Sequence, residues 1–408
     1  MIRRPAAILA LLTGLNFLNY LDRILVAAVL PKITADLHLS KFEGGLLATV
    51  FLLGYFVTSP WFGVLADRGP RKRLIALGVA VWSIATAASG VATGVATLML
   101  ARAVVGVGEA SYATLAPTII DDITPPDKKG RALAIFYLAT PVGSALGFVL
   151  GGMIEKAWGW RAVFFVAGGP GLLLAIACLF IVEPARRLAA ERTSALASAR
   201  TLVKIPLYRR TVAGYIAHTA AVGAFAHWGP TFLHDRYHLE LKSADFWFGV
   251  ITVVAGAIGT IVGGRWVDAA LARHPGGAAH DDVATRRGTN ALLRICAIGV
   301  AVAAPFAVAA FASPSAVGFY ALAFVVECGI FLSTSPVNAA MLRTVPPELR
   351  ASSMAVAIFA IHMFGDLGSP PAVGLLQDAL PIVAAMMALP ALIAVAAIVW
   401  WPRAREAA

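Results

Sequence analysis

Residues Ala132 to Ile154 read ALAIFYLATPVGSALGFVLGGMI, a run without a single Asp, Glu, Lys or Arg. The hydrocarbon core of a bilayer is about 30 Å thick, and about 20 apolar residues in helical form cross it. Inside lipid every backbone N–H and C=O must be paired within its own segment, so a run of this kind is a helix. Leu74–Ala101, Ala162–Val182, Ile295–Val326 and Ala379–Pro402 are equally free of charge. Outward from these, polar segments part twelve long apolar stretches, and the chain reads as an all-α polytopic membrane protein with twelve transmembrane helices. Its composition, 59% apolar and 13% charged, departs from the quarter of charged residues typical of soluble domains.

A net charge of +11 would suit a nucleic-acid partner. The distribution argues against one, because the basic residues collect in alternate loops. Arg68, Arg71, Lys72 and Arg73 crowd into one short loop, whereas the opposite side holds only Lys32, Lys41, Lys156, Arg161, Arg236 and Lys242. Arg23 and Arg102 lie inside spans. Cytoplasmic loops are the basic ones, which places both termini in the cytoplasm. Met1-Ile2-Arg3-Arg4 ahead of an apolar run mimics a signal peptide. Asp22 and Arg23 continue that run without a small-residue cleavage site, so it is read as the first span. Cys178, Cys296 and Cys328 all fall within spans and read as buried thiols, with no disulfide and no metal site.

The chain repeats itself weakly. Gly63-x-x-x-Asp67 ends the second span and Gly264-x-x-x-Asp268 the eighth. Pro125-Pro126-Asp127 with Arg131 opens the fifth, and Pro347-Glu348 with Arg350 the eleventh. Pro117 and Pro336 sit late in spans four and ten. Four landmarks falling six spans apart, in order, indicate two six-helix halves: 1–182 and 209–408, joined by a linker over 183–208. The linker, with Arg186, Arg187, Leu196, Arg200 and Lys204, reads as a basic amphipathic helix serving as a strut on the membrane surface. Two similar bundles can rock about a site between them and open it to either side in turn.

Ionisable groups at bilayer depth are costly and mark function by default. Span one carries Asn16, Asn19, Tyr20, Asp22 and Arg23. At 100° per residue Asn16, Asn19, Tyr20 and Arg23 share a face, while Asp22 turns toward a neighbouring helix. Span four sets Arg102, Gly106 and Glu109 on one face, with Tyr112 beyond, and the glycines permit close helix approach. Burial favours the neutral form of such a carboxyl and a nearby Arg the charged form. That competition suits a proton switch; a static ion pair is the competing reading. The second half adds His218, His227, Glu327 and the pair His362 and Asp366 at i, i+4. His227 reads as an interface group, His218 suits a pocket or the packing, and Glu327 needs a cation or a proton.

The loop from Gly63 to Lys72, Gly-Val-Leu-Ala-Asp-Arg-Gly-Pro-Arg-Lys, resembles the major facilitator superfamily signature, with Pro70 where that family usually has glycine. Asn19-Tyr20-Leu21-Asp22-Arg23, Arg102-x-x-x-Gly106-Val107-Gly108-Glu109, Pro141-Val142-Gly143-Ser144 and His362-x-x-Gly365-Asp366-x-x-Ser369-Pro370 resemble the spinster family. That resemblance implies a proton-coupled carrier of lysolipids in a bacterial inner membrane, working without cofactor. It implies Asp22, Arg23, Arg102 and Glu109 as the proton-coupling residues. Arg23, Asn19, Tyr112, Glu327, His218 and His362 become the expected cargo contacts. Gly63, Asp67, Arg68, Arg131 and Asp268 become the expected cytoplasmic gate. The expected partners are an amphiphile, protons and membrane lipids, with no nucleic acid, for a chain acting as a monomer.

Other functions lack their signatures. There is no His-Glu-x-x-His metal motif and no Gly-x-x-x-x-Gly-Lys-[Ser/Thr] loop for ATP. The alternative within reach is a symporter of a small organic anion such as a sugar acid. Such a cargo calls for several cations or hydroxyls. The second-half spans instead offer Phe225, Phe246, Phe248, Phe324, Phe331 and Phe359, either as a surface for an acyl tail or as helix packing.

Overall fold

The computed structural model describes residues 2–125, 128–183, 195–273, 283–346 and 349–402. Six long helices open the chain: α1 Pro5–Asp36, α2 Lys41–Arg68, α3 Arg71–Ser89, α4 Val95–Ile123, α5 Lys129–Trp158 and α6 Trp160–Leu179. A short α7, Ala195–Lys204, precedes α8 Pro206–Tyr237, α9 Leu241–Arg273, α10 Val283–Ala312, α11 Ala316–Leu332 and α12 Thr334–Arg343. The last two spans are composite: α13 Arg350–Ile361, one π-helical turn His362–Asp366 and α14 Ser369–Ala379, then α15 Ile382–Met386 and α16 Ala388–Trp400. Among the described residues eleven spans are long and apolar enough to cross a membrane. The helix outside that count is α8, whose Thr211, His218 and His227 dilute an otherwise sufficient length of 32 residues.

Local chemistry sets the boundaries. Ser40 and Glu43 form a reciprocal cap at the start of α2: the Glu43 N–H donates to Ser40 Oγ at 3.1 Å, and the Ser40 N–H donates to Glu43 Oε2 at 2.9 Å. Two otherwise orphaned donors are thereby satisfied. Gly159 turns α5 into α6 at φ +81°, a conformation open to glycine at little cost. The backbone of Ile2 bonds that of Phe180 and Val182. The start of α1 and the end of α6 therefore lie together, as an even number of crossings requires.

The chain divides into two compact units. The first comprises Met1–Ala189 with His227–Gly249, and the second Ala190–Ala226 with Val250–Ala408. The hairpin between α8 and α9 thus groups with the first unit. There Lys41 pairs with Asp235 at 2.6 Å, and Phe148 meets Phe248 edge to face at 5.0 Å. Of the linker, 184–194 with Arg186 and Arg187 lie outside the described residues, as do Pro126, Asp127, Pro347 and Glu348. Within α7, Leu202 is fully buried with Tyr208, Val212, Met341 and Val345 in the second unit, while Val203 is exposed.

Each unit is held by glycines where helices touch, since small residues let backbones approach in lipid. In the first, a Cβ on Gly108 of α4 would stand 2.5 Å from the Gly78 carbonyl oxygen of α3 and 2.6 Å from Trp82 N. In the second, a Cβ on Gly329 of α11 would stand 2.5 Å from the Gly299 carbonyl oxygen of α10. These are the third and fourth helices of one half and their counterparts in the other, so the repeat extends to its closest contacts. Gly108→Val is expected to force α3 and α4 apart at a cost of about 3 kcal/mol, the upper range for overpacking. Thermal unfolding in detergent should show a lowered midpoint, and an unchanged midpoint would contradict this contact.

Candidate functional site

The polar centre of the first unit starts from two adjacent residues on α1. Because consecutive helical side chains diverge by about 100°, Asp22 and Arg23 reach different helices. Asp22 is buried, and its Oδ2 accepts a hydrogen bond of 2.5 Å from Thr86 Oγ1 on α3. Arg23 turns to α4, where its Nη2 pairs with Glu109 Oε2 at 3.0 Å. Glu109 is fully enclosed, whereas the Arg23 side chain stays 25% exposed. The guanidinium also lies over the rings of Tyr20 at 5.0 Å, Phe51 at 4.9 Å and Tyr55 at 5.8 Å. Such stacking stabilises a partly desolvated cation by about 1 kcal/mol per ring.

Arg102 completes the group. It is buried, its guanidinium carbon lies 5.1 Å from the Phe51 ring centre, and its Nε and Nη1 lack hydrogen-bond partners. Two carboxyls and two guanidiniums thus share one interior, with a single direct ion pair between them. Asn19 lies close along α1 and is buried with its Nδ2 unpartnered. Tyr112, expected to meet cargo, is fully buried: its hydroxyl donates to the Leu12 carbonyl at 2.5 Å and its ring packs on Trp82 and Phe136. In this arrangement Tyr112 ties α4 to α1.

In the second unit Glu327 of α11 is buried, and its Oε1 accepts a hydrogen bond of 2.9 Å from Thr252 of α9, while Oε2 has no partner. His218 of α8 lies 3.2 Å from the Ile330 carbonyl and 5.6 Å from the Trp400 ring, buried in helix packing. His362 and Asp366 do pair, Nδ1 to Oδ2 at 2.9 Å, on the π-helical turn. Asp366 presses its Cβ against Gly223 of α8, which has no room for a side chain. Val326 joins Ala221, Phe225, Phe311, Phe319 and Ile330 around a small apolar recess of about 20 Å³. Of the phenylalanines read from the sequence, Phe225 lines this recess. Phe248 packs on Phe148 in the first unit, Phe331 covers Gly256, and Phe246 and Phe359 face outward.

The expected gate residues fall on three helices. Gly63, Asp67 and Arg68 close α2, and the side chains of Asp67 and Arg68 lie outside the described residues. Arg131 is exposed at the start of α5 in the first unit, and Asp268 near the end of α9 in the second. Two basic residues of this loop, outside the expected gate, make contacts among the described residues. Arg71 is buried, pairs with Asp122 of α4 at 2.7 Å and donates to Thr118 at 3.0 Å. Lys72 bonds Glu183 through its backbone and the Ile181 carbonyl through its ammonium, both at 2.8 Å. Thr86, Phe51, Tyr55 and Thr252 were also missed; Phe51 and Tyr55 stand at i, i+4 on one face of α2, a spacing that does not say what the face meets.

The geometry can be set beside known proteins. Residues 12–370 match the model of the Major Facilitator Superfamily. Protein spinster homolog 1 of Xenopus tropicalis is 34% identical over 403 residues, covering 92% of this chain and 73% of its own. A probable sphingolipid transporter, spinster homolog 2 of Arabidopsis thaliana, is 32% identical, covering 92% of this chain and 81% of its own. Among solved structures, a bacterial homolog of the human lysosomal transporter spinster, in an inward-facing and unoccupied conformation, superposes with a TM-score of 0.85. It is 21% identical and covers 97% of this chain and 96% of its own. A D-xylose–proton symporter shares the fold at a TM-score of 0.76 and 14% identity, with 97% and 96% covered. This chain is an integral membrane transporter, not an enzyme, and belongs to the spinster branch of the Major Facilitator Superfamily.

Proposed function

We propose that the protein is a proton-coupled carrier of a lysolipid-like amphiphile, working by alternating access as a monomer in an inner membrane with both termini cytoplasmic. The observation that carries this reading is the Arg23–Glu109 pair, enclosed at the carboxylate and partly open at the guanidinium. When Glu109 takes a proton, Arg23 loses its partner and is free to hold an anionic head group. When the cargo leaves, Arg23 recaptures the carboxylate and the proton is expelled. Asp22 and Arg102 supply a second acid and base to the same exchange. Asp67, Arg68, Arg131 and Asp268 form the cytoplasmic latch on this reading, with Arg71 anchoring the loop from within the first unit.

On this reading the tail lies against apolar side chains of the second unit, such as Phe225, and Glu327 meets a cationic or hydroxyl group on the head. Each methylene buried contributes about 0.8 kcal/mol. Affinity for lysolipids of one head group should therefore rise by about tenfold for every two carbons until the tail outgrows the apolar surface that receives it. A binding series in nanodiscs checks this. Flat affinity across the series, with short polyhydroxy acids competing well, would hand the site to an organic-anion symporter instead.

A further inference from the structure

One carboxyl of the first unit takes no part in the cluster around Arg23. Asp245 sits in the second turn of α9, is fully buried, and has no hydrogen-bond partner on either oxygen. It faces α5 at Gly152, where an added Cβ would stand 2.7 Å from Asp245 Oδ2 and 2.8 Å from the Lys242 Cα. The absent side chain at Gly152 is what lets this acid lie against α5.

The charged groups around it offer no compensation. From α5, Glu155 is the charge that acts on Asp245, and it has the same sign. Glu155 has its own cation, Lys32 of α1 at 3.9 Å. Lys156 of α5 is held by Glu240 at 2.6 Å. Lys242, one turn earlier on α9, is exposed. From α2, Lys41 pairs with Asp235, and the buried His227 lies 3.1 Å from the Gly44 carbonyl. An ionised Asp245 would be an isolated buried charge beside a second carboxylate, which no contact in this seam offsets.

We propose that Asp245 is a second proton-binding site of the transporter, protonated while α9 lies closed on α5 at Gly152 and deprotonated when the two separate. On opening, the carboxyl O–H bond breaks, the proton passes to water, and the hydrated carboxylate remains. The proposal rests on the alternating-access reading, since it needs this seam, at the end poor in Lys and Arg, to open during the cycle. Opening then releases a proton, so the open-to-closed ratio rises with pH by up to about tenfold per unit. The outer ion pair does not mimic this behaviour. The Lys156 ammonium holds the Glu240 carboxyl below the usual carboxylate range, so Glu240 stays ionised between about pH 5 and 9.

The test places spin labels at the exposed positions Trp158 and Trp247 in full-length protein, with Cys328→Ser, and reads their distance distribution against pH. Wild type should shift from short to long distances as pH rises. Asp245→Asn, the same size but without charge, should stay closed at every pH, while Glu109→Gln still titrates at the seam. Gly152→Ala inserts a methyl group into the closed contact and should move the transition to lower pH. The proposal is overturned by a seam that does not titrate in wild type, by an Asp245→Asn profile like wild type, or by an unmoved transition in Gly152→Ala. Proton-driven accumulation in the same preparations is read separately. If it survives in Asp245→Asn and fails in Glu109→Gln, the functional reading stands whatever the seam does.

Discussion

Glu109→Gln is expected to leave a carrier that equilibrates its cargo but no longer accumulates it against a gradient. One pH unit is worth 1.36 kcal/mol per proton, so a wild-type protein coupling one proton should reach about tenfold accumulation per unit of pH gradient. The variant should stay near onefold, and Asp22→Asn should behave alike. Gln keeps the shape of Glu109 and removes its proton chemistry. Breaking the buried pair with Arg23, seen at 3.0 Å, should also cost about 3 kcal/mol of stability. A static ion pair predicts that loss too. Only a proton switch predicts the loss of coupling, so transport in proteoliposomes with an imposed pH gradient, rather than melting, separates the two readings. Full accumulation by both variants would place the coupling elsewhere.

Arg23→Ala should weaken binding of an anionic lysolipid by about a hundredfold, the upper range for a hydrogen bond to a charged group. The chain-length trend should survive, because head and tail are held by different residues. Part of the loss could come from stranding Glu109, which is buried and has no other cation in direct contact. The double variant Arg23→Ala with Glu109→Gln removes that charge. If head-group discrimination returns in the double variant, Arg23 serves Glu109 and not the cargo. If anionic and neutral heads bind alike in both, Arg23 is the head-group contact.

Much of this was legible in the sequence. Twelve apolar stretches and the alternating basic loops marked the spans. The 100° rotation between Asp22 and Arg23 sends Asp22 to a neighbouring helix and Arg23 another way, and the structure supplies Thr86 for the one and Glu109 for the other. Periodicity gives the face of a helix without naming what it meets. Tyr112 and His218 therefore read as cargo contacts, yet both turn into packing, on Leu12 and on Ile330. The π-helical turn at His362–Asp366 was hidden for a related reason. The i, i+4 spacing predicted the pair, but the same spacing is met in an ordinary α-helix and carries no sign of the extra residue in the turn. The grouping of His227–Gly249 with the first unit follows from contacts such as Lys41–Asp235, which lie far apart in sequence and leave no local pattern.

The most direct test reconstitutes the full chain alone into liposomes and follows a labelled lysolipid and proton movement together under an imposed pH gradient. The account predicts lysolipid movement driven by that gradient, with protons moving in step, faster for a long tail than for a short one. It is contradicted if lysolipid movement ignores the gradient while a short sugar acid is carried with protons.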